Sequence, residues 1–148
     1  SNRSGNWQLW RVSVLGGDPI RLTKNNGFFA IESRDGGTIY YTKEDTDGLW
    51  EMPVSGGDAK RIVDGPVTSW GDWAVLDKGI YFINLEGATL PSTVRFYDFG
   101  TRKLSTIARL NKAIAEEEAN FDISPDGKSI LYGQVNKSVD IMMVEDFR

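Results

Sequence analysis

The sequence repeats itself with a period of about forty residues, and this repeat restricts the possible fold more than any other feature. The segments "LWRVSVLGGDPIRLT" (Leu9 to Thr23) and "LWEMPVSGGDAKRIV" (Leu49 to Val63) match at Leu, Trp, Val, Gly, Gly, Asp and Arg with one constant offset. Each reads as a strand, a Gly-Gly-Asp turn and a second strand. "VRFYDFGTRKLSTIA" (Val94 to Ala108) is a third copy with a shorter turn, and "DIMMVEDFR" (Asp140 to Arg148) matches the first strand of a fourth.

A second hairpin unit lies between these copies. "AIESRDGGTIYYTK" (Ala30 to Lys43) and "FDISPDGKSILYGQ" (Phe121 to Gln134) share Ser-x-Asp-Gly followed by Ile-x-Tyr, whereas "GDWAVLDKGIYFIN" (Gly71 to Asn84) keeps only the Ile-Tyr strand. Apolar residues alternate with period two, and β-branched and aromatic residues dominate, which favours half-buried strands over helices. The sequence therefore predicts an all-β chain.

The alternating units predict about thirteen strands in four-stranded antiparallel modules that recur every forty to forty-five residues, which is the period of a propeller blade. We predict a partial β-propeller with about two full blades and two partial ones. Residues 1–25 are expected to form the outer half of a blade, residues 26–66 and 67–109 one blade each, and residues 110–148 a partial last blade.

Such a strand set leaves open edges. Two full blades and two partial ones do not close a ring of the usual four to eight blades, so strand edges at Trp7 to Val14 and Asp140 to Val144 are expected to lack partners. We predict that the chain either self-associates through these edges as a homo-oligomer or comes from a longer parent that covers them.

The composition removes several classes of chemistry. The 148 residues include neither cysteine nor histidine, which excludes disulfides, thiolate nucleophiles, Cys or His metal sites and imidazole acid–base catalysis. With 17 basic and 21 acidic residues the net charge is −4, which does not favour binding to phosphate backbones. We expect no catalytic residue, cofactor or metal in this chain, and no nucleic-acid binding by it.

The sequence has no stretch that is long and apolar enough for a transmembrane helix, and its first residues, "SNRSGNWQ", lack the pattern of a signal peptide. We expect no membrane segment within the given residues. Because the chain starts without Met, a targeting segment or another domain could precede it, and neither the cytoplasm nor the periplasm is favoured.

The alternation of "LWRVSVLGGDPIRLT" with "FDISPDGKSILYGQ" resembles the TolB-like, WD-repeat-like β-propeller repeat of bacteria over essentially the whole chain. "SNRSGNWQLWRV" and "ILYGQVNKSVDIMMVEDFR" are similar, more narrowly, to the C-terminal propeller part of large bacterial proteins with an N-terminal winged-helix DNA-binding domain. The resemblance implies a non-enzymatic interaction or sensing module from a regulator-like protein. A protein or small ligand would contact its blade loops.

A second family gives an alternative function. Related propellers lie beside the peptidase domain of prolyl-oligopeptidase-like enzymes and restrict access to the active site. This chain has no Gly-x-Ser-x-Gly elbow and no histidine for a triad, so any catalytic domain would have to be elsewhere.

The Ser-x-Asp-Gly motif could carry a reactive carboxylate or form a turn. Proline presets φ for the first central position of a type I turn, Asp suits the second, and Gly suits the exit. Asp126 fits this pattern, and so does Asp35, although Arg34 replaces the proline there. Because catalysis would need a second titratable group at a recognisable spacing, we predict that both aspartates are turn residues.

Two acidic stretches raise the question of cation binding. "DTDG" (Asp45 to Gly48) resembles the start of a calcium loop but lacks the third ligand position and the closing Glu, so it is predicted to be a hairpin turn. The run Glu116 to Glu118 lies in residues 110–120, which are rich in Ala and Glu and favour a helical turn. Such charge runs are usually solvated, so a blade-to-blade connection is predicted.

The tryptophans are the remaining candidates for a binding surface. Trp10 and Trp50 occupy equivalent repeat positions, so both are predicted to pack between blades, whereas Trp7 is less constrained. The segment "VTSWGDWAVLDKG" replaces the turn motif in the second full blade, and functional loops on repeat scaffolds often lie where the pattern breaks. We therefore identify Trp70, Asp72 and Trp73 as a candidate ligand or partner surface, with core packing as the alternative. The longer insertion at Asn84 to Val94 could also reach a partner.

Overall fold

The structure of the chain, a computed structural model, describes residues 5–68, 71–84, 92–110 and 121–133. Within these ranges the polypeptide forms twelve β-strands and no helix, which confirms the all-β prediction. The strands are β1 (Trp10–Arg11), β2 (Ile20–Arg21), β3 (Ala30–Glu32), β4 (Thr38–Tyr41), β5 (Leu49–Pro53), β6 (Lys60–Val63), β7 (Trp73–Leu76), β8 (Gly79–Asn84), β9 (Thr93–Asp98), β10 (Leu104–Arg109), β11 (Phe121–Ile123) and β12 (Ile130–Tyr132). The helical turn predicted at 110–120 and the strand predicted at 140–144 lie essentially outside the described residues.

The strands form four antiparallel sheets. The order β3-β4-β5-β6 forms one full blade (blade 2), and β7-β8-β9-β10 forms a second (blade 3). The pair β1-β2 (blade 1) and the pair β11-β12 (blade 4) each form a two-stranded sheet. The chain is thus a partial β-propeller, and its described residues form two full blades and two partial ones, as the repeat predicts.

The first strands of consecutive blades lie next to one another. Strand β7, which begins blade 3, contacts β3 of blade 2 on one side and β11 of blade 4 on the other. The later strands of each blade extend outwards from this inner row. The blades are therefore arranged as a fan in which the inner strands are the common element.

Period-two alternation sends the two faces of each strand to different neighbouring blades. On β4, Ile39 and Tyr41 pack with Trp50 and Met52 against blade 1, whereas Tyr40 packs against blade 3. The register of β4 and β5 places Tyr41 opposite Trp50. Each full blade thus contributes apolar side chains to two interfaces, which explains why its strands are more buried than those of a sheet with one wet face.

The largest core lies between blades 2 and 3. Its buried members are Tyr40, Leu49, Val63, Val67, Trp73, Ile80, Phe82 and Tyr97. A smaller cluster joins blades 3 and 4 and contains Ile83, Val94 and Leu110. In the described part of the chain, no helix is long and apolar enough to cross a membrane.

Candidate functional site

Two neighbouring blades depart from the Ser-Pro-Asp-Gly motif of residues 124–127. Blade 2 joins β3 to β4 through residues 33–37, where Arg34 stands in place of the proline found at position 125. Blade 3 joins β7 to β8 through Asp77 and Lys78 alone, because Leu76 is already paired with Gly79. Both departures from the repeat occur at the same end of neighbouring blades.

An ion pair connects these two turns. The Nε atom of Arg34 lies 3.6 Å from Oδ1 of Asp77, and both side chains are more than half exposed. Exposed ion pairs of this kind contribute little to stability. The gain in folding free energy is therefore too small to explain by itself why arginine replaces proline at position 34. The pair does show that the turns face each other across the boundary between blades 2 and 3.

A groove of about 310 Å³ opens beneath this ion pair. Its lining residues come from both blades: Ser33, Arg34, Asp35, Thr38, Tyr40, Val75, Leu76, Asp77 and Phe99. The rings of Tyr40 and Phe99 stack with centroids 5.1 Å apart and planes 12° apart. The backbone N–H of Phe99 donates to the carbonyl of Lys78 at 3.0 Å, which attaches the aromatic part of the groove to the short turn of blade 3.

The surroundings of Tyr40 in the groove keep its phenol group uncharged, although charged side chains lie nearby. Burial raises the pKa of Tyr40, and the nearby carboxylates of Glu51 and Asp35 raise it further. Tyr40 therefore keeps its proton at neutral pH and can donate a hydrogen bond. An apolar, aromatic interior with a polar donor and charged groups at the rim is the usual construction of a small binding site.

The two motif aspartates are turn residues, as predicted. Ser33 Oγ donates to Asp35 Oδ1 at 2.5 Å, and the N–H of Gly37 donates to the same oxygen at 3.0 Å. Asp126 accepts equivalent bonds from Ser124 Oγ at 2.6 Å and from the N–H of Lys128 at 3.1 Å. These contacts are those of an Asx-turn, in which the side chain replaces a backbone acceptor.

The hydrogen bonds to Asp35 predict how the protonation of this turn residue depends on pH. The bond from Ser33, followed by that from Gly37, lowers the pKa of Asp35 below 3.8. A lowered folded-state pKa means that the contact stabilises the turn above the unfolded value and is lost as the pH falls through the folded value. In an NMR titration, Ser33→Ala should raise the pKa of Asp35 towards 3.8 while that of Asp126 stays low. An Asp35 pKa at the ordinary value in the unmodified protein would contradict this account.

The structure buries both described members of the tryptophan segment. Asp72 is 3% exposed and Trp73 is 2% exposed, and Trp73 meets Phe29 edge to face with ring centroids 5.5 Å apart. Trp70 lies outside the described residues. The binding surface composed of Trp70, Asp72 and Trp73 stays a prediction, and the burial of Trp73 is what the packing alternative expects. The end of the same segment, Val75 to Asp77, does line the groove.

The other tryptophans separate according to their neighbours. Trp50 is buried between blades 1 and 2, with the ammonium of Lys43 4.6 Å and the guanidinium of Arg61 5.3 Å from the ring centroid. Trp10, its equivalent in blade 1, is exposed. The prediction of packing between blades is therefore confirmed for Trp50, while the structure exposes Trp10. Trp7 packs edge to face on Phe28 with centroids 5.0 Å apart.

The remaining acidic candidate forms a turn. A hydrogen bond from Asn26 is the main cause that lowers the pKa of Asp45, and the guanidinium of Arg61 donates to the carbonyl of Asp47. Within the described ranges, no group of three or more Asp or Glu side chains is arranged to hold a metal ion. The run at 116–118 and most of the insertion at 84–94 lie outside those ranges.

Comparison with known structures gives the same fold. The chain is similar to the structure of putative TolB from Agrobacterium tumefaciens, with a TM-score of 0.60 and 20% sequence identity, over 90% of this chain and 53% of that chain. The chain thus spans about half the length of that protein. No protein-family model and no curated protein matches it. At this identity the similarity establishes a TolB-like β-propeller fold and nothing further about function.

Sequence reasoning pointed to one side of the groove and missed the other. The segment 70–78 departs visibly from the repeat, whereas nothing in the repeat pattern distinguishes Tyr40 or Phe99. One signal could have pointed to Tyr40 and Phe99. Two neighbouring blades depart from the repeat motif at the same place, through Arg34 in one blade and a shortened turn in the next.

Proposed function

We propose that the chain is a non-enzymatic interaction module that recognises a segment of a partner protein in the groove between blades 2 and 3. The observation that carries this proposal is that both departures from the repeat motif, Arg34 and the Leu76-Asp77 turn, line the same groove. In a repeat protein, the motif is kept at positions where its role is only to fold the chain. Two departures from the motif that line one groove therefore favour a role other than folding.

The chemistry of the groove suggests what it binds. Its volume of about 310 Å³ lies at the small end of ligand pockets and suits one large side chain of a bound segment. The stacked Tyr40 and Phe99 rings and the apolar Val75 and Leu76 favour an aromatic or aliphatic anchor. Arg34 and the carboxylates at the rim favour polar or charged residues beside that anchor.

The test uses peptides selected by phage display on the intact chain. Leu76→Arg places a charged side chain in the groove and should weaken the dissociation constants of selected peptides at least about tenfold by calorimetry, which corresponds to about 1.4 kcal/mol. Arg34→Pro restores the residue that the repeat itself uses at position 125 and should weaken peptides with acidic flanks without changing the turn. Ser55→Arg, on an exposed turn outside the groove, should bind as the unmodified chain does. Equal affinities for Leu76→Arg and the unmodified protein would refute the groove as the binding site.

The absence of enzymatic activity is part of the proposal and has its own test. Purified chain should not hydrolyse peptide or ester substrates above background. Hydrolysis that one point mutation in this chain abolishes would overturn the proposal. We propose further that the module belongs to a larger bacterial regulator with a winged-helix domain, on the strength of the resemblance of its terminal segments. A peptidase domain encoded beside it in the full-length parent would favour the gating alternative instead.

A further inference from the structure

Blade 1 presents an incomplete sheet with an exposed tryptophan. Among the described residues β1 pairs only with β2. In blade 2 the equivalent strand, β5, pairs with β6 on one edge and with β4 on the other. The edge of β1 that matches the second of these has no described partner. Trp10 on this strand is 38% exposed, whereas its repeat equivalent Trp50 is 6% exposed. The difference arises from the neighbours, because Trp50 stands opposite Tyr41 and packs against blade 1. Among the residues that the structure describes, Trp10 has neither contact.

In the described residues, blade 4 shows only the half that is complementary to blade 1. Its strand β12 matches β4 in the repeat, with Tyr132 at the position of Tyr41. Tyr132 is 38% exposed, whereas Tyr41 is 2% exposed, and β12 pairs only with β11 in the described part of the chain. Blade 4 therefore shows the inner pair of a blade, and blade 1 shows the outer pair.

We propose that a second copy of this chain completes the blade, with β12 of one copy pairing antiparallel with β1 of the other. Blade 2 supplies the register, since β4 and β5 pair Tyr41 with Trp50 and Thr38 with Pro53. When this register is applied to the equivalent repeat positions of β12 and β1, Tyr132 lies opposite Trp10 of the partner subunit and Ser129 lies opposite Ser13 of the partner subunit. Both exposed aromatic side chains are then buried as their equivalents are in blade 2.

The number of blades is consistent with a closed ring of two copies. In the described residues each copy has two full blades and two half blades, so two copies supply four full blades and two composite ones. This total lies in the usual range of four to eight blades, and each copy spans about half of the ring. A two-fold axis then pairs β1 and β12 of each copy with β12 and β1 of the other, so these two described edges are not left free to start a filament.

Residues 140–144 of the same chain are a competing occupant of the β12 edge, because the repeat predicts a strand there. In that arrangement the chain would remain monomeric and β1 would stay uncovered. Cross-linking between copies distinguishes the two arrangements directly.

Designed cysteines test the register. The chain has no cysteine of its own, so introduced thiols report only on the designed pair. Opposed residues of antiparallel strands lie within disulfide range. A mixture of Ser13→Cys and Ser129→Cys proteins, with oxidised glutathione, should give several-fold more disulfide-linked dimer than a mixture of Ser13→Cys and Lys128→Cys, which is one residue out of register. Equal yields would overturn the proposed pairing.

Sedimentation analysis tests the assembly. The unmodified chain should behave as a discrete dimer, and Trp10→Arg should convert it to a monomer with an unchanged circular dichroism spectrum. Leu15→Arg is the matched control and should leave the dimer intact, because Leu15 is an exposed apolar residue in the turn beyond β1 and its repeat equivalent Ser55 is exposed in blade 2 as well. A monomer at every concentration, or an open series of larger species, would overturn the closed ring. If Trp10→Arg does not fold, the cysteine mixtures still decide the question.

Discussion

Replacement of Gly79 by alanine is expected to destabilise the protein by about 3 kcal/mol or more, at the upper end of the cost of overpacking. A Cβ atom at this position would lie 2.0 Å from the carbonyl oxygen of Tyr97 and 2.5 Å from the ring of Phe96. The carbonyl belongs to β9, which pairs with β8 directly at this point, so it can retreat only if the strands separate. Urea denaturation of the variant and the unmodified protein measures the difference.

Gly100→Ala is the matched control for Gly79→Ala. Gly100 lies in the turn between β9 and β10, has no left-handed backbone, and would place its Cβ no closer than 3.4 Å to Asp98. Its stability should remain within about 1 kcal/mol of the unmodified protein, since the new methyl group meets no clash. Equal midpoints for the two variants would show that β8 and β9 do not approach each other as described. Because Gly79 pairs with Leu76, Gly79→Ala should also distort the groove.

The turns could be predicted from the sequence because the contacts that make them are local. Asp35 and Asp126 bond to residues two positions away, and the motif that places them there is written in four consecutive letters. Strand identity followed in the same way from alternation over a few residues. Repetition of these local signals then fixed the blade order.

The groove could not be predicted because its parts are distant in the chain. The stack of Tyr40 on Phe99 and the pair of Arg34 with Asp77 exist only after blade 3 has packed on blade 2. No short pattern links residues that come from separate hairpins. The sequence shows only that two neighbouring blades depart from the repeat motif at the same position.

Exposure of equivalent residues depended on the strands paired around them rather than on the residue itself. Trp10 and Trp50 occupy the same place in the repeat, and the same is true of Tyr132 and Tyr41. The members within the four-stranded blade 2 are buried, and their equivalents in the two-stranded blades 1 and 4 are exposed. A repeat therefore predicts what each position can pack against, while the strands present in its blade decide whether that packing forms.

Replacement of Trp73 by alanine is expected to cost about 3–5 kcal/mol of stability, which is the usual cost of removing a buried aromatic side chain. Trp73 is 2% exposed in the core between blades 2 and 3 and makes its edge-to-face contact with Phe29 there. Its removal would leave a large void beside Phe29 and Phe82, because Phe82 stands opposite Trp73 in the sheet. The free energy of unfolding in urea measures the loss.

Trp73→Phe separates packing from recognition. The indole N–H of Trp73 is buried and has no hydrogen-bond partner among the described residues, so phenylalanine removes an unsatisfied donor while keeping a ring against Phe29. We expect Trp73→Phe to lose less than half of the stability that Trp73→Ala loses. If Trp73 instead serves a binding surface, both variants should unfold at the midpoint of the unmodified protein and differ from it only in peptide affinity. A stability loss that alanine causes and phenylalanine largely restores would assign Trp73 to the interface that positions the groove.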